Sequence, residues 1–433
     1  MKRLDRISNS KIINSIGGGS GTVLLLAVGL VCFVYIFWQT AHVVHVTFSS
    51  TSSSSSSTNP SFHRIPEIGA AGTSRSTRRF LNYKASAWEA LWLTNIEQWS
   101  KEKTICDHIF SAEQADFLHT FQMTLCTHLN VEDTPWCAID DPYNRTRYFY
   151  NTQTREYSIS LPQGVSSWNF LETLPPRPIV PIEHDKENPQ VFSQFNYVDE
   201  TTGRIYSEYI EPLVSHLRHP IAKCEGKSQR RLPHGPFIFS RSYIVPLTTK
   251  HNFRKKHYFD AGCSTWNDGN GGPSLHYFTT VWKRHGINFD RIEGWEGEGL
   301  ETVFYASVPE EYKNRTFYHQ EFISSSPTTS GTFLPFSIRD TAHKEDYVLL
   351  KLDIDNGSVE KGTVKYLLDE LPGFYDPDAI QYIDELVWEH HAGGNYLMYD
   401  CCWNKTSDNL TLWDSYQIFL KLRNKGVRAH SYV

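Results

Sequence analysis

The sequence predicts an α/β protein whose C-terminal half holds a parallel sheet with flanking helices. From His257 onward, apolar strand-like runs alternate with helix-like runs: "HYFDAG" is followed by "SLHYFTTVWKRHG" and then by "FDRIEGWE". This alternation is typical of parallel strands that are joined by helices. An α+β region is expected ahead of this sheet, and a long uncharged run near the N-terminus predicts a single transmembrane helix.

Composition limits both the size of the core and the class of partner. The chain has 433 residues, of which 39% are hydrophobic and 14% are aromatic, enough for one large core or two smaller ones. The formal net charge of -6 leaves no strongly basic surface for phosphates. We therefore expect no nucleic-acid partner.

The first 46 residues predict a membrane topology. Thr22 to Trp38 carry no charge, and this run is close to the shortest length that spans a bilayer. Four basic residues precede the run, at Lys2, Arg3, Arg6 and Lys11. After the run, the next basic residue is Arg64. The positive-inside rule makes residues 1–21 a cytosolic tail and residues 22–46 a signal anchor, in a type II protein of the Golgi or another secretory-pathway membrane. A cleaved signal peptide is the alternative.

Residues 47–80 are predicted to form a stalk. The segment begins with "TFSSTSSSSSSTNPS", a composition that cannot pack a core and that is typical of flexible linkers. N-glycosylation sequons fit the same lumenal setting, and they fall at Asn144, Asn314, Asn404 and Asn409. A further sequon begins at Asn356.

Residues 81–247 are predicted to form the α+β region. Trp88, Trp92 and Ile96 recur at helical spacing, which indicates a helix with one apolar face. Such a face packs either in the core or against a second copy, and the core is the more frequent use. A second helix is expected in "IYSEYIEPLVSHLRHPIAKC", ending near Pro220.

Residues 136–162 predict a small antiparallel meander, because aromatic residues alternate between turn-rich breaks. The segment resembles a WW domain, and the matching residues are Trp136, Tyr148, Phe149, Tyr150, Asn151, Thr154 and Pro162. The second Trp of that family, which holds proline-rich ligands, is replaced by Ile159. A structural meander is therefore favoured over a peptide-binding module.

The carboxyl ends of the predicted parallel strands carry candidate cofactor contacts. Ligands of such sheets lie outside these ends, where Asp260, Gly262, Cys263 and Glu296 fall. Glycine lets a ligand approach the backbone, and the acid can accept hydrogen bonds from ribose hydroxyls. The three-glycine dinucleotide fingerprint is missing, and the acidic loop suits the cationic sulfonium of S-adenosylmethionine better than a pyrophosphate.

The region from about residue 250 to 433 resembles the FkbM-type methyltransferases. Its "FDAG" and "EGWE" are similar to that family's first two motifs, and "KLDIDNGSVE" to its fourth-strand motif. The matching positions in the last motif are Lys351, Leu352, Asp353, Ile354, Asp355, Gly357 and Glu360, with Asn356 inserted. The resemblance implies a Rossmann-like methyltransferase domain over residues 248–433, S-adenosylmethionine as cofactor, and transfer of its methyl group to a glycan or small-molecule hydroxyl.

Acidic residues and histidines near the predicted strand ends are candidates for the chemistry of this transfer. Asp353, Asp355 and His391 are the candidate catalytic residues. Alternate residues of a strand share a face, so Glu389 and His391 can point together toward Asp353 and Asp355 and hold a divalent metal. The simpler alternative is that Glu389 and the histidines only form hydrogen bonds at a strand end.

Two other classes of function remain open. A membrane-anchored chain with the triplet Asp353-Ile354-Asp355 after an apolar strand also describes a Golgi glycosyltransferase, in which the triplet holds a metal and a nucleotide sugar. Stabilisation by a UDP-sugar with manganese would favour that class. A catalytically inactive binding protein is the third possibility, and it predicts no response to any adenosine ligand.

Overall fold

The fold was obtained as a computed structural model. It describes residues 78–102, scattered positions of 104–124, and residues 136–141, 146–151, 153–158, 188–213, 243–247, 253–267, 274–392 and 410–432. Residues 71–433 form one compact unit. The predicted cytosolic tail, anchor and most of the stalk lie outside the described residues, and the first strand begins inside the predicted stalk, at Arg78.

The N-terminal region contains an antiparallel sheet and a buried helix. The sheet has the order β1-β5-β6, with strands β1 (Arg78–Lys84), β5 (Ser193–Asp199) and β6 (Ile205–Ile210). Helix α1 (Ala87–Glu102) buries Trp88, Trp92 and Ile96, and the short helix α2 spans Asn188–Val191. The tryptophan face of α1 therefore belongs to the core.

Strand β6 corrects the helix that was predicted from Ile205 toward Pro220. Residues Ile205 to Ile210 pair with β5 in antiparallel register, from Val198 opposite Ile205 to Ser193 opposite Ile210. Four of these six residues are Ile or Tyr, residue types that favour strands, and pairing with β5 outweighs the helical spacing of the segment. The rest of that predicted helix lies mainly outside the described residues.

The predicted meander is present as a separate three-stranded antiparallel sheet. Its strands are β2 (Trp136–Asp141), β3 (Thr146–Asn151) and β4 (Tyr157–Ser158), in the order β2-β3-β4. Asn151 accepts hydrogen bonds at its side-chain oxygen from the backbone of Gln153 and Thr154, at 2.9 and 3.0 Å, which forms the turn into β4.

The C-terminal half is a parallel sheet of six strands, as the alternating pattern predicts. The strands are β7 (Lys256–Ala261), β8 (Arg291–Trp295), β9 (Thr316–His319), β10 (Tyr347–Leu352), β11 (Glu385–Trp388) and β12 (Arg428–Ser431). All neighbouring pairs are parallel, in the order β12-β11-β10-β7-β8-β9. Every residue of the central strand β10 is buried, which explains why all of them except Lys351 are apolar or aromatic.

Helices connect the parallel strands. They are α3 (Ser274–Arg284), α4 (Glu301–Ser307), α5 (Glu310–Lys313), α6 (Leu334–Thr341), α7 (Gly357–Leu367), a 3-10 helix (Ala379–Tyr382) and α8 (Leu412–Asn424). Asn356 begins α7, because its side chain accepts a hydrogen bond from the backbone N–H of Val359. The residue inserted into the fourth-strand motif is therefore a helix cap.

The strand order changes direction between β7 and β10. From β7 the chain builds outward through β8 to β9, and it then returns to place β10 on the other side of β7. The two connections leave the sheet on opposite sides of this point, which opens a crevice at the carboxyl ends of the two strands. The fold thus places this crevice next to Gly262 and Asp353.

The predicted single-pass membrane topology is corrected. Among the residues that the structure describes, no helix is long and apolar enough to cross a membrane. The segment that was expected to do so, residues 22–46, lies outside those residues.

Candidate functional site

A cavity of about 700 Å³ opens at the carboxyl ends of β7, β8 and β10. Its walls come from the loops that follow β7, β8, β9 and β10 and from the start of α3. The lining residues used below are Gly262, Glu296, Glu298, Glu321, Phe322, Ile323, Lys351, Asp353, Asp355 and Tyr432. Its size falls within the range of small-molecule sites.

Residue 262 must be a glycine because the backbone there lies very close to the backbone of Asp353. Its φ of 87° lies in the left-handed region. A Cβ atom at this position would lie 1.7 Å from the carbonyl oxygen of Asp353. Only glycine allows the loop after β7 to touch the loop after β10, and this contact forms the base of the cavity.

Lys351 links the same two loops. Its side chain is 2% exposed and lies 3.1 Å from Oδ1 of Asp260 and 3.0 Å from Oδ2 of Asp353. The ammonium also donates a hydrogen bond of 3.1 Å to the carbonyl oxygen of Gly262. Burial alone lowers the pKa of Lys351, but the two carboxylates outweigh it and raise the pKa well above its ordinary value. The lysine is therefore charged and neutralises part of the cavity floor.

Asp260 and Cys263, both predicted to contact the cofactor, lie behind the cavity wall. The Asp260 side chain is fully buried and accepts hydrogen bonds from the hydroxyls of Tyr258 and Ser274 at 2.7 and 3.0 Å. Cys263 is a free cysteine with 1% exposure, and burial raises the pKa of its thiol well above the ordinary value. Both residues shape the wall rather than face the cavity in this conformation.

Glu296 lines the cavity directly after β8, as the sequence predicts for its position. Its backbone N–H donates to the carbonyl of His319 at 3.0 Å, and its Oε1 accepts from the backbone N–H of Glu298 at 3.0 Å. These bonds fix the carboxylate at the rim. A fixed carboxylate beside a glycine-floored crevice can accept hydrogen bonds from the hydroxyls of a ligand.

The loop after β9 contributes an aromatic wall that the sequence analysis did not identify. Phe322 is 75% exposed and its ring lies so close to Gly297 that a Cβ there would be 2.3 Å from a ring carbon. The loop is closed by a bridge between Ile323 and Thr332. In the sequence, the apolar pair Phe322 and Ile323 after the end of β9 could have indicated this wall. Only the fold shows that β9 borders the cavity.

Three candidate metal ligands meet at the rim formed by the loops after β10 and β11. The Nε2 atom of His391 lies 3.3 Å from Oε2 of Glu389 and 3.6 Å from Oδ1 of Asp355. Ligand atoms of the three residues lie within 4.8 Å of one another. His391 is buried, whereas the Asp355 side chain is 78% exposed. The structure thus brings three of the four predicted metal ligands together, and the fourth, Asp353, pairs with Lys351.

Two buried carboxyl groups beside these residues have raised pKa values. Burial, followed by the nearby charge of Asp353, raises the pKa of Glu360 to about 8. The same two causes, with a hydrogen bond to Asp353, raise the pKa of Glu389 well above its ordinary value. These shifts arise because several acids share a poorly solvated edge with few cations.

The cavity is strongly acidic. The acids that line it are Glu296, Glu298, Glu321, Asp353 and Asp355. Lys351 is the one basic side chain among the described lining residues, and Asp260 and Asp353 already pair with it. The arrangement attracts cations and repels phosphates.

Comparisons with protein-family models, with curated proteins and with solved structures found no match. The fold itself defines a class: a mixed α/β protein with a six-stranded parallel sheet, consistent with a Rossmann-like architecture. The WW-like and FkbM-like resemblances stay expectations.

Proposed function

We propose that this chain is an S-adenosylmethionine-dependent methyltransferase that acts on a hydroxyl group. The observation that carries the proposal is the acidic cavity at the point where the strand order reverses. Gly262 and Glu296, two of the predicted cofactor contacts, line it. The motif order that resembles FkbM-type methyltransferases supports the same class.

The charge of the cavity favours this cofactor over nucleotides that carry phosphate. S-adenosylmethionine has a sulfonium and no phosphate, so its positive charge suits a lining of five acids and one buried lysine. A pyrophosphate would meet Asp353 and Glu296 without a free cation to neutralise it. In this proposal the Glu296 carboxylate accepts hydrogen bonds from ribose hydroxyls, and Gly262 leaves room for the ligand beside the backbone.

The proposed reaction needs a base and a shielded methyl group. The acceptor oxygen forms a bond to the methyl carbon while the carbon–sulfur bond breaks and its electron pair passes to sulfur. The sulfonium becomes a neutral thioether, and the hydroxyl proton passes to a base. Asp353 and Asp355 line the cavity and are the candidate bases, and His391, 3.6 Å from Asp355, can hold that carboxylate in place.

The acceptor is proposed only as a class. A hydroxyl compound, either a glycan or a small molecule, fits a rim that offers carboxylates and an imidazole on the side of β10 and β11. The exposed side chain of Asp355 marks this rim as open to solvent, so a large acceptor can reach it.

Thermal stabilisation by ligands tests the proposal. A ligand at about 100 times its Kd adds about 2.7 kcal/mol to the free energy of unfolding. We expect S-adenosylmethionine and S-adenosylhomocysteine to raise the melting temperature of the full chain. NAD should leave the melting temperature unchanged, and a UDP-sugar should add no shift beyond that given by manganese alone. Glu296→Gln should lose most of the shift, and Glu310→Gln, an 87% exposed acid, should keep it.

Two results would overturn the proposal. If neither S-adenosyl compound raised the melting temperature at millimolar concentration, S-adenosylmethionine would be excluded as the cofactor. If a UDP-sugar added with manganese gave a larger shift than manganese alone, while the S-adenosyl compounds gave none, the result would instead favour a glycosyltransferase.

A further inference from the structure

We propose that Asp355, Glu389 and His391 bind one divalent transition-metal ion at the rim of the cavity. The three side chains come from the loops that follow two adjacent parallel strands, β10 and β11. The backbone N–H of Glu389 donates to the carbonyl of Leu352 at 3.1 Å, which holds the two loops side by side. The site is therefore built on the rigid edge of the sheet.

The separations between the ligand atoms suit a shared ion. Two atoms that each lie about 2.1 Å from one metal are about 3.0–3.4 Å apart at octahedral or tetrahedral angles. Nε2 of His391 lies 3.3 Å from Glu389 Oε2 and 3.6 Å from Asp355 Oδ1. The distance to Glu389 already lies in this range, and a small rotation of the exposed Asp355 side chain brings the distance to Asp355 into it.

Asp353 is not part of the site, which corrects the four-ligand set expected from the sequence. Its Oδ2 lies 3.0 Å from the ammonium of Lys351, whose side chain is 2% exposed. A cation bound next to that ammonium would be repelled by it. The metal therefore lies on the side of Asp355, away from Lys351.

The donor set predicts which metals bind. Magnesium and calcium prefer sites made of oxygen alone, whereas one imidazole nitrogen with two carboxylates suits manganese, cobalt or zinc. His391 is 0% exposed at its side chain, so its nitrogen is held in place before the ion arrives. We expect zinc and manganese to bind much more tightly than magnesium.

The three protein ligands leave further coordination positions open. Asp355 lines the cavity, so these positions face the space in which an acceptor would lie. A metal there lowers the pKa of an acceptor hydroxyl, whose proton then leaves more readily to Asp353. This role of the metal rests on the proposed methyltransferase function, whereas metal binding does not.

Manganese binding by the full chain, treated with a chelator and free of S-adenosyl compounds, tests the site. Free Mn²⁺ gives a sharp paramagnetic resonance signal that is lost on binding, and we expect one ion per chain. Asp355→Asn and His391→Gln should each weaken binding at least tenfold, while Asp378→Asn, a 58% exposed acid on the same unit, should not. Because Asp355 is exposed, its variant should fold even if that of His391 does not.

Several outcomes would overturn the inference. These are no saturable manganese binding, unchanged binding in Asp355→Asn, and displacement of manganese by magnesium as effectively as by zinc. Binding of S-adenosylmethionine is measured separately in the presence of chelator. Manganese binding without S-adenosylmethionine binding would support the metal site and contradict the proposed methyltransferase function. Binding of S-adenosylmethionine without manganese binding would contradict the metal site and leave the proposed function in place.

Discussion

Two clusters of buried charge in the same compact unit differ in how their acids are balanced. The paired cluster joins the N-terminal region to the end of the chain and consists of Glu89, Glu211, Glu385, Arg423, Arg428 and His430. The carboxyl-edge cluster lies at the cavity and consists of Lys351, Asp353, Asp355, Glu360, Glu389 and His391.

In the paired cluster each acid contacts a basic side chain. Glu89 lies 3.1 Å from Arg423, and Glu385 lies 2.6 Å from Arg428. Burial alone raises the pKa of Glu211, but His430, 2.7 Å away, outweighs it and the pKa falls below its ordinary value. This cluster connects α1 to α8 and β12 through ion pairs.

In the carboxyl-edge cluster the acidic side chains outnumber the basic ones. The two oxygens of Glu360 accept from the uncharged donors Ile354 N–H and Trp388 Nε1–H, at 3.1 and 3.2 Å, and the pKa of Glu360 rises to about 8. Such an excess of buried acid costs stability and is typical of functional sites. The paired cluster therefore has the balance of a structural ion-pair network, whereas the carboxyl-edge cluster has the excess of acid expected at the proposed cation site.

The largest effect concerns the dependence of stability on pH. The pKa of Glu360 rises from 4.5 when unfolded to about 8 when folded, so its stabilisation is complete below pH 4.5 and is lost as pH rises through 8. The loss is at most about 5 kcal/mol. Glu360→Gln should flatten the decline between pH 5 and 8 in denaturant titrations. The exposed Glu310→Gln should keep the wild-type slope, and an unchanged slope in Glu360→Gln would show that Glu360 is already ionised in the folded chain.

Removal of a cation from the paired cluster comes next. Arg423→Met removes the cation that pairs with the buried Glu89, and we expect a loss of about 3–5 kcal/mol in the free energy of unfolding. Lys421→Met, on the exposed side of the same helix, removes a surface pair with Glu370 and should cost less than about 1 kcal/mol. Urea denaturation of the two variants measures the difference, and equal losses would contradict the account of this cluster.

Replacement of glycine by alanine should have a larger effect at the cavity than in an ordinary turn. Gly262→Ala combines a left-handed backbone with a Cβ 1.7 Å from Asp353, so we expect about 3 kcal/mol of destabilisation and loss of cofactor binding. Gly203→Ala has a similar φ of 69° but nothing within 4 Å of the added Cβ. It should cost about 1–2 kcal/mol and leave ligand binding intact. Thermal unfolding with and without S-adenosylhomocysteine distinguishes the two.

The smallest effect is expected at an exposed ion pair. Arg79 lies 3.1 Å from Glu200, and their side chains are 61% and 54% exposed. Arg79→Ala should change the free energy of unfolding by less than about 1 kcal/mol, and the change should shrink further in high salt. A loss comparable with that of Arg423→Met would mean that burial does not explain the strength of the paired cluster.

Local patterns were sufficient to predict the parallel sheet and the edge of the sheet at which the cavity lies. Strand β10 is apolar except for Lys351, and the acids that follow it mark its carboxyl end. The helical spacing of Trp88 and Trp92 likewise predicts α1. These features depend on residues that are close in sequence, so periodicity records them.

The features that the sequence could not predict depend on contacts between residues that are far apart in the chain. The role of Lys351 depends on Asp260, which lies on the neighbouring strand, and Phe322 reaches the cavity only because β9 follows β8 at the sheet edge. Strand alternation places Asp260 at a strand end but does not say that its side chain points into the core. The segment at Ile205 became a strand because β5 was available to pair with it.

The structure of the chain with S-adenosylhomocysteine bound tests the central claim most directly. We expect the ligand to lie in the acidic cavity, with its ribose hydroxyls on the Glu296 carboxylate and its chain beside Gly262. We also expect Asp260 to keep its contact with Lys351 and not to touch the ligand. A ligand bound elsewhere, or a saturated complex in which Glu296 makes no contact with ribose, would contradict the account.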